Sequence, residues 1–228
     1  GYTNGTPQLR KRVIDIYDKD LSLENILITS GSAEANFLSI MTQLDAGDEI
    51  VYMVPNYLQI YHLARSLGIK VKTLPIRQEL GWQWDPDELK SIVSSKTKMI
   101  VVCNPNNPTG AIMNSQIMDK VIEIAEEQDC WILSDEVYRG AELNGVECRS
   151  FVGATDKTIV NAGLSKAYSL PGLRIGWTIG SKKYIEKAWS FHDFTVINVS
   201  YISDWIASRI LASERRKKIL NRTKDHLN

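Results

Sequence analysis

Short apolar runs alternate with stretches of helical periodicity along the whole chain, and that alternation leaves few folds open. The runs lie at residues 25–29, 49–54, 70–74, 99–103, 130–134, 158–161 and 175–179. Several, such as Met99-Ile100-Val101-Val102, are apolar without a break rather than at every second position. That is the pattern of strands covered on both faces. Between them apolar residues recur with the spacing of one helix face at 7–17, 33–44, 57–67, 86–93, 115–128 and 182–190, and a last long helix is expected over 200–218. Strand, helix and strand in turn predict an α/β fold, a mainly parallel seven-stranded sheet sandwiched by helices.

At 228 residues the chain suits one large domain. Its 27 Lys and Arg balance 27 Asp and Glu, so no net field steers it to nucleic acid or an anionic membrane. No apolar run reaches the roughly 18–20 residues of a spanning helix. Cys103, Cys130 and Cys148 fit neither a disulfide framework nor a metal site, and point to reduced thiols in a cytoplasmic protein. His62, His192 and His226 lie far apart, so histidine-centred chemistry is not expected. The first residues show no secretory signal pattern, and the charged stretch 213–228 has no helix stop. A piece of a longer protein is the expectation.

In open α/β sheets ligands collect beyond the carboxyl ends of the strands, and the unusual residues of this chain stand there. Gly31-Ser32 follow the first run, Pro55-Asn56-Tyr57 the second, Asn104 to Gly110 the fourth, Asp135 the fifth and Lys166 the sixth. A helix opening on Gly31-Ser32 offers the Ser32 and Ala33 amides, with the Ser32 hydroxyl beside them, to an anion. Lys166 has few charged neighbours in sequence, and a desolvated lysine loses its proton more easily, as a Schiff-base lysine must. Arg174, eight residues on, offers a two-pronged fork to a phosphate. Taken singly, each has a plain reading as well: a surface lysine, a structural arginine, a core tyrosine at 57, a helix cap at Asp135.

The string Gly163-Leu164-Ser165-Lys166-Ala167-Tyr168-Ser169-Leu170-Pro171-Gly172-Leu173-Arg174-Ile175-Gly176-Trp177 resembles the cofactor-attachment motif of the class I/II aminotransferases, which are fold-type I pyridoxal-phosphate enzymes. Upstream and in the family's order, Thr29 to Ala35, Pro55-Asn56-Tyr57, Asn104-Pro105-Asn106-Asn107-Pro108-Thr109-Gly110 and Ser134-Asp135-Glu136-Val137-Tyr138 resemble its other cofactor segments. The resemblance implies pyridoxal 5'-phosphate held by Lys166 as a Schiff base. Its phosphate would lie among Gly31, Ser32, Ala33, Ser165 and Arg174, and Tyr57 would stack on the ring. Asp135 would pair with the ring nitrogen, and Asn107 and Tyr138 with the phenolic oxygen. The implied reaction moves an amino group between an amino acid and a 2-oxo acid. In it the freed Lys166 amine carries a proton from the α-carbon to the cofactor's C4′, with Asp135 and Tyr138 as the other catalytic groups.

The resemblance covers nearly the whole chain and lacks the family's N-terminal arm and C-terminal small domain, so residues 1–228 are read as the cofactor-binding large domain. A homodimer is implied too. Gly163 stands where relatives often carry Ser or Thr, which removes one phosphate contact. No role is carried over to Tyr2, nor to any side chain of 192–197. Glu142, Asn144 and Arg149 follow Tyr138 and are candidates for reading the substrate. Three other outcomes share these motifs: a lyase, cyclising synthase or oxidase of the same fold, the sensor domain of an aminotransferase-like transcription regulator, or a non-catalytic remnant.

Overall fold

The computed structural model describes residues 2–227; Gly1 and Asn228, the two ends of the expected domain, lie outside them. Seven strands form one sheet: β1 (Ile26–Thr29), β2 (Glu49–Val54), β3 (Lys70–Pro75), β4 (Thr97–Cys103), β5 (Trp131–Asp135), β6 (Thr158–Gly163) and β7 (Gly176–Ile179). Their order is β1-β7-β6-β5-β4-β2-β3. From β3 to β6 all pairs are parallel, while β7 runs antiparallel to both its neighbours, β6 and β1. The mainly parallel seven-stranded sheet read from the sequence is present.

The unbroken apolar runs have a simple physical origin. Along β4, Ile100 and Val102 enter one core while Met99 and Val101 enter the other, and all four are fully buried. A strand with no wet face has no use for polar alternation. On one side α2 (Ser32–Gln43), α3 (Gln59–Ser66) and α6 (Lys182–His192) press Leu38, Ile60 and Ala188 against Leu27, Ile50 and Leu133. On the other, α1 (Pro7–Ile14), α4 (Pro86–Ile92), α5 (Ser115–Glu127), α7 (Tyr201–Ile210) and α8 (Ser213–Leu227) bring Leu9, Leu89, Val121, Ala207 and Leu220 to the sheet. Helix starts follow local chemistry. Thr6 Oγ1 accepts the Leu9 N–H at 3.1 Å ahead of Pro7, and Asn114 Oδ1 accepts the Ile117 N–H at 2.8 Å. Among the described residues no helix is long and apolar enough to cross a membrane.

Three helices differ from the sequence expectation. α1 stops at Ile14, because the chain then turns to bury Tyr17, whose hydroxyl accepts Trp177 Nε1–H at 3.3 Å. α3 starts at Gln59, two residues late, which leaves Tyr57 in solvent. The single helix expected over 200–218 is two, α7 and α8, joined at Leu211 and Ala212. Leu211 and Leu220 are both buried. In one straight helix they would lie about half a turn apart, on opposite faces, so the chain must bend to bury both.

At the start of β7 the backbone passes so close to the β1–α2 turn that no side chain fits. A Cβ on Gly176 would lie 2.5 Å from Ser32 N and nearer still to the Gly31 carbonyl carbon. Gly176→Ala is therefore expected to lower folding stability by on the order of 1–3 kcal/mol, read as a lower urea midpoint.

Candidate active site

The β1–α2 turn presents a helix start with no side-chain cap. Gly31 takes φ 82°, a conformation open to glycine, and among the described residues the Ser32 and Ala33 amides meet no acceptor. Two unpaired N–H groups at the positive end of a helix form an anion cup. The turn is held from behind by Glu34, whose Oε2 accepts the Ser30 N–H at 2.6 Å. Burial alone would raise the Glu34 carboxyl, but hydrogen bonds from His192, Thr195 and the Ser30 N–H bring it below its ordinary value. His192, fully buried, sits 3.0 Å from Glu34 Oε1, and the Thr195 hydroxyl donates to the same oxygen. The segment 192–197 thus supports the cup within this chain.

Arg174 closes the cup. Its Nη2–H donates to Ser30 O at 3.2 Å, and Nη1–H donates to Ser165 Oγ at 3.3 Å and Pro171 O at 3.1 Å. Arg174 and Ser169 both have left-handed backbones, φ 51° and 55°, which cost of order 1–3 kcal/mol each and persist only where surrounding contacts over-determine them. A Cβ on Gly31 would come within 3.0 Å of Arg174 Cζ and closer to Nη2, so glycine makes room for the guanidinium as well as for the turn.

At the end of β5, Asp135 is buried, and no helix follows it, so it is not a helix cap. Its Oδ1 accepts the Val137 N–H at 3.1 Å and its Oδ2 accepts Asn36 Nδ2–H at 3.0 Å. Burial raises its carboxyl above the ordinary value, against those two bonds. In the loop after β4, Asn104 Oδ1 accepts the Met113 N–H at 2.9 Å, and Asn106 Nδ2–H donates to Pro55 O at 3.1 Å. The two asparagines hold the loop, and Asn107 faces the cavity. Tyr138 is half-buried there, and burial raises its phenol. Tyr57 is 58% exposed, which rules out a core tyrosine. Lys166 is also exposed, so the described residues do not supply the desolvation that a lysine at this position was expected to meet.

Ser32, Ala33, Tyr57, Asn107, Asp135, Tyr138, Ser165, Lys166 and Arg174 all line one cavity of about 290 Å³, and Gly31 stands behind Arg174. Asn36, Gln59 and Cys103 line it too, and none of the three is a site candidate in the sequence, where Cys103 reads only as a free thiol. Asn36 lies one helical turn after Ser32, a spacing that puts both on one face, which is the signal that was there to be used. A larger opening of about 570 Å³ adjoins, sharing Asn107 and Tyr138 and lined also by Glu142 and Asn144. Of the candidate substrate readers, Glu142 is buried and accepts the Gly140 and Cys148 N–H groups, at 2.8 and 2.9 Å. Arg149 turns away to Asp119 at 2.6 Å. Tyr2 is exposed.

A sequence profile described as "Aminotransferase class I and II" matches residues 1–227. The chain belongs to this aminotransferase family. An aspartate aminotransferase of Pyrococcus horikoshii is 30% identical over 98% of the chain, and an aspartate/prephenate aminotransferase of Thermus thermophilus is 28% identical over 94%. The chain spans 59% and 57% of those two relatives' lengths. A crystal structure of a PLP-dependent aminotransferase from Streptococcus suis superposes with a TM-score of 0.91 at 36% identity, covering 97% of this chain and 58% of that one. The aspartate aminotransferase of Thermus thermophilus with maleate gives 0.92 at 25% identity, covering 98% and 60%. The seven-stranded α/β sheet is thus the aminotransferase fold.

Two outcomes are expected from this geometry. Gly31→Ala should push the Arg174 guanidinium out of the cup and weaken binding of inorganic phosphate or a phosphorylated ligand about tenfold, measured by titration. The second concerns Glu136, whose buried Oε1 accepts the Phe151 N–H at 2.9 Å while Oε2 has no partner among the described residues. Burial raises its carboxyl from 4.5 to about 7. Between those values the folded chain holds a proton that the unfolded chain has lost, so folding stability is greatest at the acid end of the window and falls as pH rises. Glu136→Gln should flatten that slope in urea midpoints measured across the window.

Proposed function

We propose that residues 1–228 form the cofactor-binding large domain of a pyridoxal-phosphate-dependent aminotransferase, which moves amino groups between an amino acid and a 2-oxo acid. The observation that carries this is the convergence, in one cavity, of an anion cup, a buried carboxylate and a lysine amine. The donor set fits the group chemically. The Ser32 and Ala33 amides, Ser165 Oγ and Arg174 suit a phosphate ester. Asp135, buried and acceptor-only when ionised, suits a protonated ring nitrogen. Asn107 and Tyr138 suit the phenolic oxygen, Tyr57 a ring face, and the Lys166 amine a carbonyl carbon. When bound, pyridoxal phosphate supplies an electron sink for the pair left at a substrate α-carbon.

The chain's own residues then do the rest. The cup and Arg174 would hold the phosphate, and Lys166 Nζ in the same cavity would be kept within reach of the carbonyl carbon. Asp135, tethered at both oxygens, holds a carboxylate oxygen where a ring N–H would meet it. Lys166 is also the base for the α-carbon proton once a substrate is seated. Relatives are named for aspartate and prephenate, and the adjoining opening at Glu142 and Asn144 is the proposed place where a substrate side chain is read. A cytoplasmic homodimer is part of the proposal. Its support is that Cys103, Cys130 and Cys148 are free thiols, and that Tyr201, Ile202 and Trp205 of α7 are exposed.

The test is visible absorption of the purified chain with pyridoxal phosphate, before and after borohydride. The expected result is a band above the free cofactor's, with reduction attaching the cofactor to the peptide containing Lys166. Lys166→Ala should lose both, and a surviving band in that variant refutes the lysine's role. Stoichiometric formation of a 2-oxo acid and aminated cofactor from an amino acid separates transamination from a lyase, synthase or oxidase outcome.

A further inference from the structure

Behind Asp135 lies a group of side chains that the proposed chemistry does not use and that the fold buries almost completely. Asn36 on α2, Ser39 one turn later, Asn161 on β6, Thr178 on β7 and Tyr184 on α6 are each at most 1% exposed. Polar groups so deep are paired as a rule, and their donors and acceptors can be counted one by one; the exception in this group is Asn161 Oδ1, which meets no donor among the described residues.

Ser39 has a single hydroxyl proton, and it goes to Ala35 O at 2.8 Å. The Ser39 oxygen therefore only accepts, from Asn161 Nδ2–H at 3.0 Å and from the Tyr184 hydroxyl at 3.0 Å. With the Tyr184 proton committed, the Thr178 hydroxyl must donate to Tyr184, at 2.8 Å. The second N–H of Asn161 donates to Asn36 Oδ1 at 2.9 Å. That sets the orientation of the Asn36 amide: its oxygen faces Asn161, and its nitrogen faces Asp135 Oδ2 at 3.0 Å. Gln59 agrees from the other side. Its Nε2–H donates to Ala33 O at 2.8 Å, so its Oε1 accepts the remaining N–H of Asn36, at 3.3 Å. Turning the Asn36 amide over would set oxygen against carboxylate and N–H against N–H, at two buried places together.

We infer that Asn36 is a positioning residue for Asp135: Ser39, its proton committed to Ala35 O, accepts one N–H of Asn161, the other N–H of Asn161 goes to Asn36 Oδ1, and Asn36 is thereby left presenting a committed donor that fixes the rotation of the carboxylate. The Val137 N–H holds the other oxygen at 3.1 Å, so both ends of the carboxylate are tied. A charge-assisted bond of this kind is about twice as strong as a neutral one, and it opposes the burial that favours the neutral acid. The inference rests on reading the cavity as a pyridoxal-phosphate site, where Asp135 would act on the ring nitrogen.

The test compares two ligands on the full chain: pyridoxal phosphate and its carbocyclic analogue, in which C–H replaces the ring nitrogen. Both carry the phosphate and the aldehyde, but only the first has an atom for Asp135 to hold. In Asn36→Leu, the dissociation constant for pyridoxal phosphate is expected to rise roughly tenfold while that for the analogue stays within about twofold. Asn36→Ala, which adds no bulk to the helix, should give the same selective loss if the leucine variant does not fold. Equal weakening of both ligands would mean that Asn36 only ties α2 to β6, and would overturn the inference. If the unsubstituted chain binds neither ligand, the reading of the cavity itself fails, a result distinct from an unchanged ratio in a chain that binds both.

Discussion

Both faces of the sheet are sealed by apolar cores, and the placement of chemistry follows from that constraint. A strand such as β4 or β5, with no wet face, can bring a polar group to solvent only where it ends. Because β1, β2, β4, β5 and β6 run the same way, Gly31, Tyr57, Asn107, Asp135 and Lys166 follow those ends on a single edge. β7 runs the other way, and the residues that precede it, Arg174 and its neighbours, reach the same edge. One antiparallel strand in a parallel sheet therefore completes the anion cup with a residue that lies before a strand rather than after one.

The close passage of β7 beside the β1–α2 turn is the second requirement. Glycine at both 31 and 176 lets backbone meet backbone, and the reward is an arginine fork laid against two free helix amides. The same edge carries left-handed backbone at Ser169 and Arg174 and a carboxylate buried at Asp135, each unfavourable alone. Contacts from several elements hold them: Glu34 and His192 on the turn, Asn36 and Val137 on the carboxylate, Ser165 and Pro171 on the guanidinium. The site is held by contacts from several elements at once, and no single one supports it.

Much of this was legible in the residues, and the failures have physical causes. Strands showed because unbroken apolar runs have few other uses, and cavity residues showed because glycine, asparagine and aspartate at strand ends are unusual there. The break between α7 and α8 did not show, since helical periodicity survives a bend and only the burial of both Leu211 and Leu220 reveals it. Asp135 allowed a cap reading because a cap and a ligand carboxylate use the same atoms, and only the absence of a helix after it separates them. Asn36 was missed because a polar residue in an amphipathic helix reads as its solvent face, whereas here it lies on the face turned to β5 and β6.

The sequence by itself determined the sheet, the order of its strands along the chain and the list of residues at their ends, because those depend on local periodicity and on residue types with narrow conformational uses. Tertiary structure alone decided which of those residues share a cavity, which way the amides of Asn36 and Gln59 face, and that segment 192–197 supports the cup through Glu34. Donor and acceptor pairing among buried groups is a property of contacts between residues as far apart in the chain as Asn36 and Asn161, and no local pattern encodes it.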